Sequence, residues 1–181
     1  MKHKPTSKEK LRKLVNDLSI NLGDIDTSKI MDMSGLFSHT SRTDFSGIEK
    51  WDVSNVENMV AMFHNATSFN ADISKWDVSN VEYMIGMFAK AISFNQDLSK
   101  WNVSNVKDMD SMFAKATSFN QPIGKWDVGN VANMNGMFYE AKAFNQDISN
   151  WDLSKVERID DETKDLICNG CSNVSRMKEY V

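Results

Sequence analysis

Cysteine is scarce in this chain: 181 residues hold two, Cys168 and Cys171, too few for a disulfide scaffold and in keeping with a reducing compartment. Histidine is scarce as well. His3, His39 and His64 all lie more than a hundred residues upstream of Cys168-Asn-Gly-Cys171, so this C-x-x-C lacks the two further ligands that zinc needs. It also lacks the βαβ context of a thioredoxin-like redox site. No run approaches membrane-spanning length and no apolar stretch follows the charged start Met1-Lys-His-Lys, so as written the chain is expected to be cytoplasmic, with no membrane insertion. A net charge of −4 and a pI near 5.4 argue against nucleic acid as a partner. Gly-rich phosphate loops, H-E-x-x-H, a nucleophile elbow and the G-G-x-G-x-D calcium pattern are missing. The carboxylates recur in columns and not as an isolated pair, so no general acid and base can be singled out. We expect no enzyme, no catalytic residue, no cofactor and no metal.

What the chain does have is a clock. Trp51, Trp76, Trp101, Trp126 and Trp151 sit 25 residues apart, and no other tryptophan occurs. Val56, Val81, Val106, Val131 and Val156 keep the same period, as do Met59, Met84, Met109 and Met134, then Met62, Met87, Met112 and Met137. Phe63 to Phe138 and Phe69 to Phe144 give two more columns. A fixed period means units too small to hide their own apolar faces, which must stack. The Trp and Met columns read as core, not as a sugar strip or a set of copper or haem ligands. Asn70, Asn95, Asn120 and Asn145 are expected to bond loop backbone from coil to coil.

Two periods can be read within a unit. In Val81–Ala91 the apolar positions fall at i, i+3, i+6, i+7 and i+10, a helical stripe roughly 120° wide. Ser79 with Glu82, Ser54 with Glu57 and Ser154 with Glu157 resemble capping boxes. Ile73–Val78 alternates, turning Trp76 and Val78 inward and Lys75 and Asp77 outward, as a short strand would. The fold class expected is therefore α/β: a leucine-rich-repeat-like solenoid with one short parallel strand and one helix per 25-residue coil, capped at both ends. Helices need about 8 to 10 Å where strands need about 4.8 Å, so the strand face should be concave.

The expected domains are an N-terminal capping helix in 1–24, repeats over 25–153 with the first one degenerate, and a C-terminal cap in 154–181. Thr6-Ser-Lys-Glu9 opens a capped stretch with Leu11, Leu14, Val15 and Leu18 on one face. Ser172-Asn-Val174 and Met177 echo the unit pattern near the other end.

Repeated W-D-V-S-N-V-x-x-M-x-x-M-F, joined by S-F-N-Q-D-I-S-K, resembles the BspA-like leucine-rich repeats of bacterial surface proteins, whose 25-residue unit is also catalogued as a domain of unknown function. That resemblance covers residues 25 to 153. It implies adhesion or protein binding at a cell surface, without catalysis. The exposed strand positions are the candidate contacts for a protein partner: Lys50, Lys75, Lys100 and Lys125 in one column, and Asp52, Asp77, Asn102, Asp127 and Asp152 in the next. The same two columns also read as mutual charge neutralisation. A monomeric interaction module is the lead reading. A structural spacer or self-assembling scaffold is the alternative, and redox activity of Cys168 and Cys171 a third.

Overall fold

The computed structural model describes residues 2–168. Two α-helices stand at its ends, α1 (Lys8–Asn16) and α2 (Asp161–Cys168), with short 3-10 turns at Leu22–Asp24 and Ile48–Lys50. α1 is capped one residue later than the Thr6-Ser-Lys-Glu9 spacing implies: the Ser7 side chain accepts from the Lys10 N–H, and Leu11 and Val15 are buried. Leu18 does not share that face; it lies beyond the helix and is 60% exposed.

Between the helices the expected α/β class is overturned. Among the described residues no repeat contains a helix or a continuous strand, and no sheet forms. The coils touch through isolated parallel bridges that pass from Asp32 to Asn58, Tyr83, Asp108, Asn133 and Arg158. These bridges fall in the segment read as a helix. The Ile73–Val78 segment read as a strand is a turn instead, its Trp76 N–H donating to the Ile73 carbonyl at 3.1 Å. A concave strand face therefore does not exist.

Hydrogen bonding within Met59–Ala66 explains the inversion. Met59, Ala61, Phe63 and Asn65 donate their N–H groups to the Tyr83, Ile85, Met87 and Ala89 carbonyls of the next coil at 2.7–2.9 Å. The intervening Met62, His64 and Ala66 donate three residues back, to Met59, Ala61 and Phe63. Two successive turns with a positive φ at the third residue result, as type II turns require: φ is 52° at Ala61 and 54° at Asn65. Gly86 and Lys90, Ser111 and Lys115, and Gly136 and Glu140 repeat the pair in later coils. This turn chain turns the same i, i+3, i+6, i+7 positions inward as a helix would. Packing decides between them. Successive Phe rings, Phe63 to Phe88 and Phe88 to Phe113, stack 5.7 and 5.6 Å apart, closer than helix axes can approach.

The interior is a set of ladders. Trp51, Trp76, Trp101, Trp126 and Trp151 are at most 5% exposed. Each later indole N–H donates back one coil, Trp76 to Ile48, Trp101 to Ile73, Trp126 to Leu98 and Trp151 to Ile123. Burial of the ring and satisfaction of its polar end are thus met together. Met59, Met84, Met109 and Met134 are fully buried, as their place beside Val and Phe implies.

The inter-coil bonds of this turn segment are polar, because its N–H groups point toward the C-terminal end. The first coil is left with carbonyls facing outward and the last with N–H groups. Cations meet the first: Arg12 Nη2 donates to the Ser34 and Gly35 carbonyls, and Lys8 Nζ to the Asp32 carboxylate and the Ser34 hydroxyl. Anions meet the second: the Gly136 N–H donates to Asp160 Oδ2 and the Glu140 N–H to Glu162 Oε1. Side chains of α2 and the residue before it replace the carbonyls of a further coil.

Candidate functional site

All nine candidate contact residues are exposed: Lys50, Lys75, Lys100, Lys125, Asp52, Asp77, Asn102, Asp127 and Asp152. The acidic column has a local backbone role. Asp52 Oδ1 accepts the Ser54 N–H at 3.0 Å, and Asp77, Asn102, Asp127 and Asp152 accept from Ser79, Ser104, Gly129 and Ser154. These are Asx turns, in which a short side chain stands in for a backbone carbonyl. Asn102 therefore interrupts the charge but not the turn. The supposed capping boxes dissolve into the same motif, since Ser54 Oγ donates to Asp52 Oδ1 while the Glu57 N–H goes to the Met31 carbonyl.

Charge compensation runs differently from the sequence reading. The Ser79 hydroxyl and N–H hold Asp77 below the usual carboxylate range without help from a lysine. Lys75 instead acts on Asp72, after the two bonds from Ser74, and Lys100 on Asp97, after those from Ser99. These two lysines thus act on the acid three residues before them, a place that Gly47 and Pro122 take before Lys50 and Lys125.

A groove of about 510 Å³ runs along the stack, lined by Ser28, Lys29, Met31, Asn55, Glu57, Asn80, Glu82 and Asn105. Its signal in the sequence is the column Asn55, Asn80 and Asn105, which keeps the 25-residue period. Asn55 Nδ2 donates to the Ser28 carbonyl, Asn80 to Ser54 and Asn105 to Ser79, at 2.6–2.9 Å. The amide groups are thereby fixed at one-coil intervals. Met31 is 56% exposed at one end, and Glu82 pairs with Lys107 at 2.7 Å near the other. The second asparagine column does what its spacing suggested: Asn70 Oδ1 accepts the Asn95 N–H, Asn95 Oδ1 that of Asn120, and Asn120 Oδ1 that of Asn145.

Among the described residues, no group of three or more His, Cys, Asp or Glu side chains could hold a metal ion, and no helix is long and apolar enough to cross a membrane. Cys171 and the echo Ser172–Val181 lie outside the described residues, so the C-x-x-C as a unit does too.

One family model matches the chain in two overlapping stretches, residues 8–103 and 84–168; its description is Mycoplasma protein of unknown function, DUF285. No curated protein and no solved structure matches.

Proposed function

We propose that this chain, which belongs to the DUF285 family, is a non-enzymatic module that holds an extended protein partner along the axis of its stack. The observation that carries the reading is the presentation of like polar side chains at one-coil intervals, the acidic and asparagine columns among them held in place by turn and ladder hydrogen bonds. Lys50, Lys75, Lys100 and Lys125 project beside Asp52, Asp77, Asn102, Asp127 and Asp152, and the Asn55–Asn105 groove gives an extended segment a track. A surface whose order is already set in the free protein loses little entropy on binding. The resemblance to BspA-like repeats supports an adhesin-like role at a cell surface.

The test is affinity capture with the wild-type chain beside the Lys75→Glu/Lys100→Glu/Lys125→Glu variant, followed by titration of the purified partner. Loss of binding by a variant with unchanged circular dichroism and melting temperature supports the lysine column. Undiminished affinity removes it.

One observation favours a second reading, a spacer or scaffold: the exposed columns hardly vary from coil to coil, and so carry little address for a particular partner. Concentration-dependent oligomers in light scattering would favour it; a strict monomer would count against it.

A further inference from the structure

We propose that His39 and His64 together form a binding site for one late first-row divalent metal ion. The first and second coils bring the two imidazoles side by side, with ring centres 4.9 Å apart and planes at 64°. Ring centres at this separation are close enough for rotation about the side-chain bonds to bring one nitrogen of each imidazole onto a single ion, at metal–nitrogen distances of about 2.0–2.1 Å. Both backbones are fixed. The His39 N–H donates to the His64 carbonyl at 2.8 Å, and the His64 N–H to the Ala61 carbonyl at 3.1 Å.

Asn65 supplies the outer contact that such ligands use. Its amide nitrogen lies 3.0 Å from His39 Nδ1, and turning the amide by 180° brings Oδ1 there to accept Nδ1–H, which leaves the Nε2 lone pair for the ion. His39 is exposed and His64 half-buried, so solvent can reach the pair and water can complete the coordination shell. Imidazole ligands with open positions suit copper(II), nickel(II) and zinc(II), copper(II) being held most tightly. The charge of Lys90 reaches His64 and opposes a bound cation.

The experiment titrates Cu²⁺ and Zn²⁺ alone into the full chain carrying His3→Ala, Cys168→Ser and Cys171→Ser, so that neither the thiols nor an amino-terminal Met1-Lys2-His3 chelate competes. Isothermal titration calorimetry should give one equivalent per chain. His64→Ala and, separately, the exposed His39→Ala should each weaken it more than tenfold, and Asn65→Gly should weaken it by about 10- to 100-fold. Electron paramagnetic resonance of the copper(II) complex should show hyperfine coupling to two nitrogens, a readout that does not depend on any variant folding. No saturable equivalent, affinity undiminished in His39→Ala, or coupling to fewer than two nitrogens overturns the site.

Discussion

Arg42 places two of its donors on a single backbone oxygen: Nε and Nη2 lie 3.2 and 3.1 Å from the Val15 carbonyl. The same guanidinium reaches the carbonyls of Asp17, Ile20 and Asp44, and the residue is only 4% exposed. Val15 lies in the last turn of α1, where unpaired carbonyls favour a cation. One side chain thus ties the capping helix to the first coil.

Arg42→Ala is expected to destabilise the N-terminal cap by about 3 kcal/mol, since it strands buried carbonyls at roughly 1–3 kcal/mol each that water reaches only in part. Arg42→Lys should recover a minority of the loss, because one ammonium cannot reproduce a planar fork over four acceptors. Urea denaturation, with hydrogen exchange of the α1 amides, measures both.

Positive φ recurs at the same turn position, filled by Gly86 and Gly136 in two coils and by Ala61 and Ser111 in others. A Cβ on Gly86 would meet nothing closer than 3.9 Å, so Gly86→Ala isolates backbone strain. It should cost about 1 kcal/mol, and Ala61→Gly should gain a similar amount. Equal melting temperatures for both variants and the wild type would refute the turn assignment.

The C-terminal end depends on borrowed acceptors. Asp160→Ala removes the partner of the Gly136 N–H and of the Thr163 N–H at the start of α2, and should cost about 1–2 kcal/mol, as loss of a helix cap does. Hydrogen exchange should rise at Gly136 and Thr163 and stay unchanged at the Met59–Tyr83 interface, several coils away.

Acid should loosen the turns in a defined direction. Hydroxyl and N–H donors from the serine two residues on hold Asp72, Asp77 and Asp147 below the ordinary carboxylate value. A depressed pKa in the folded state gives stability that is present above the unfolded value of about 3.9 and is lost as pH falls through the folded value. The urea midpoint should therefore hold steady near neutrality and drop below about pH 4. Asp77→Asn keeps an Oδ1 acceptor, as Asn102 does, and should match the wild type near neutrality while losing less on acidification. Asp77→Ala should be less stable at every pH.

Residue type and period determined which side chains of the repeat columns are buried, while Leu18 at 60% exposed and Arg42 at 4% follow neither. The Trp, Val, Met and Phe columns face inward because a unit of 25 residues cannot bury its own apolar face, and α1 is announced by Thr6-Ser-Lys-Glu9 before its apolar positions, although the cap itself is Ser7. The asparagine ladder at Asn70 to Asn145 was legible for the same reason: a polar group repeated at the coil period is placed to serve its own copy. Only the tertiary structure decided the backbone. An apolar stripe at i, i+3, i+6 and i+7 fits a helix, and it equally fits a chain of turns with every fourth residue at positive φ. The sequence holds Ala61, Lys90 and Ser111 at those φ values, where propensity would not place them. Stacking overrides propensity, because parallel neighbours at bridge distance satisfy every second N–H of Met59–Ala66, and a helix in each coil would hold the coils too far apart to form those bonds. The asparagine groove and the His39–His64 pair share that origin. Residues far apart in sequence meet there only because each coil lies directly upon the one before it.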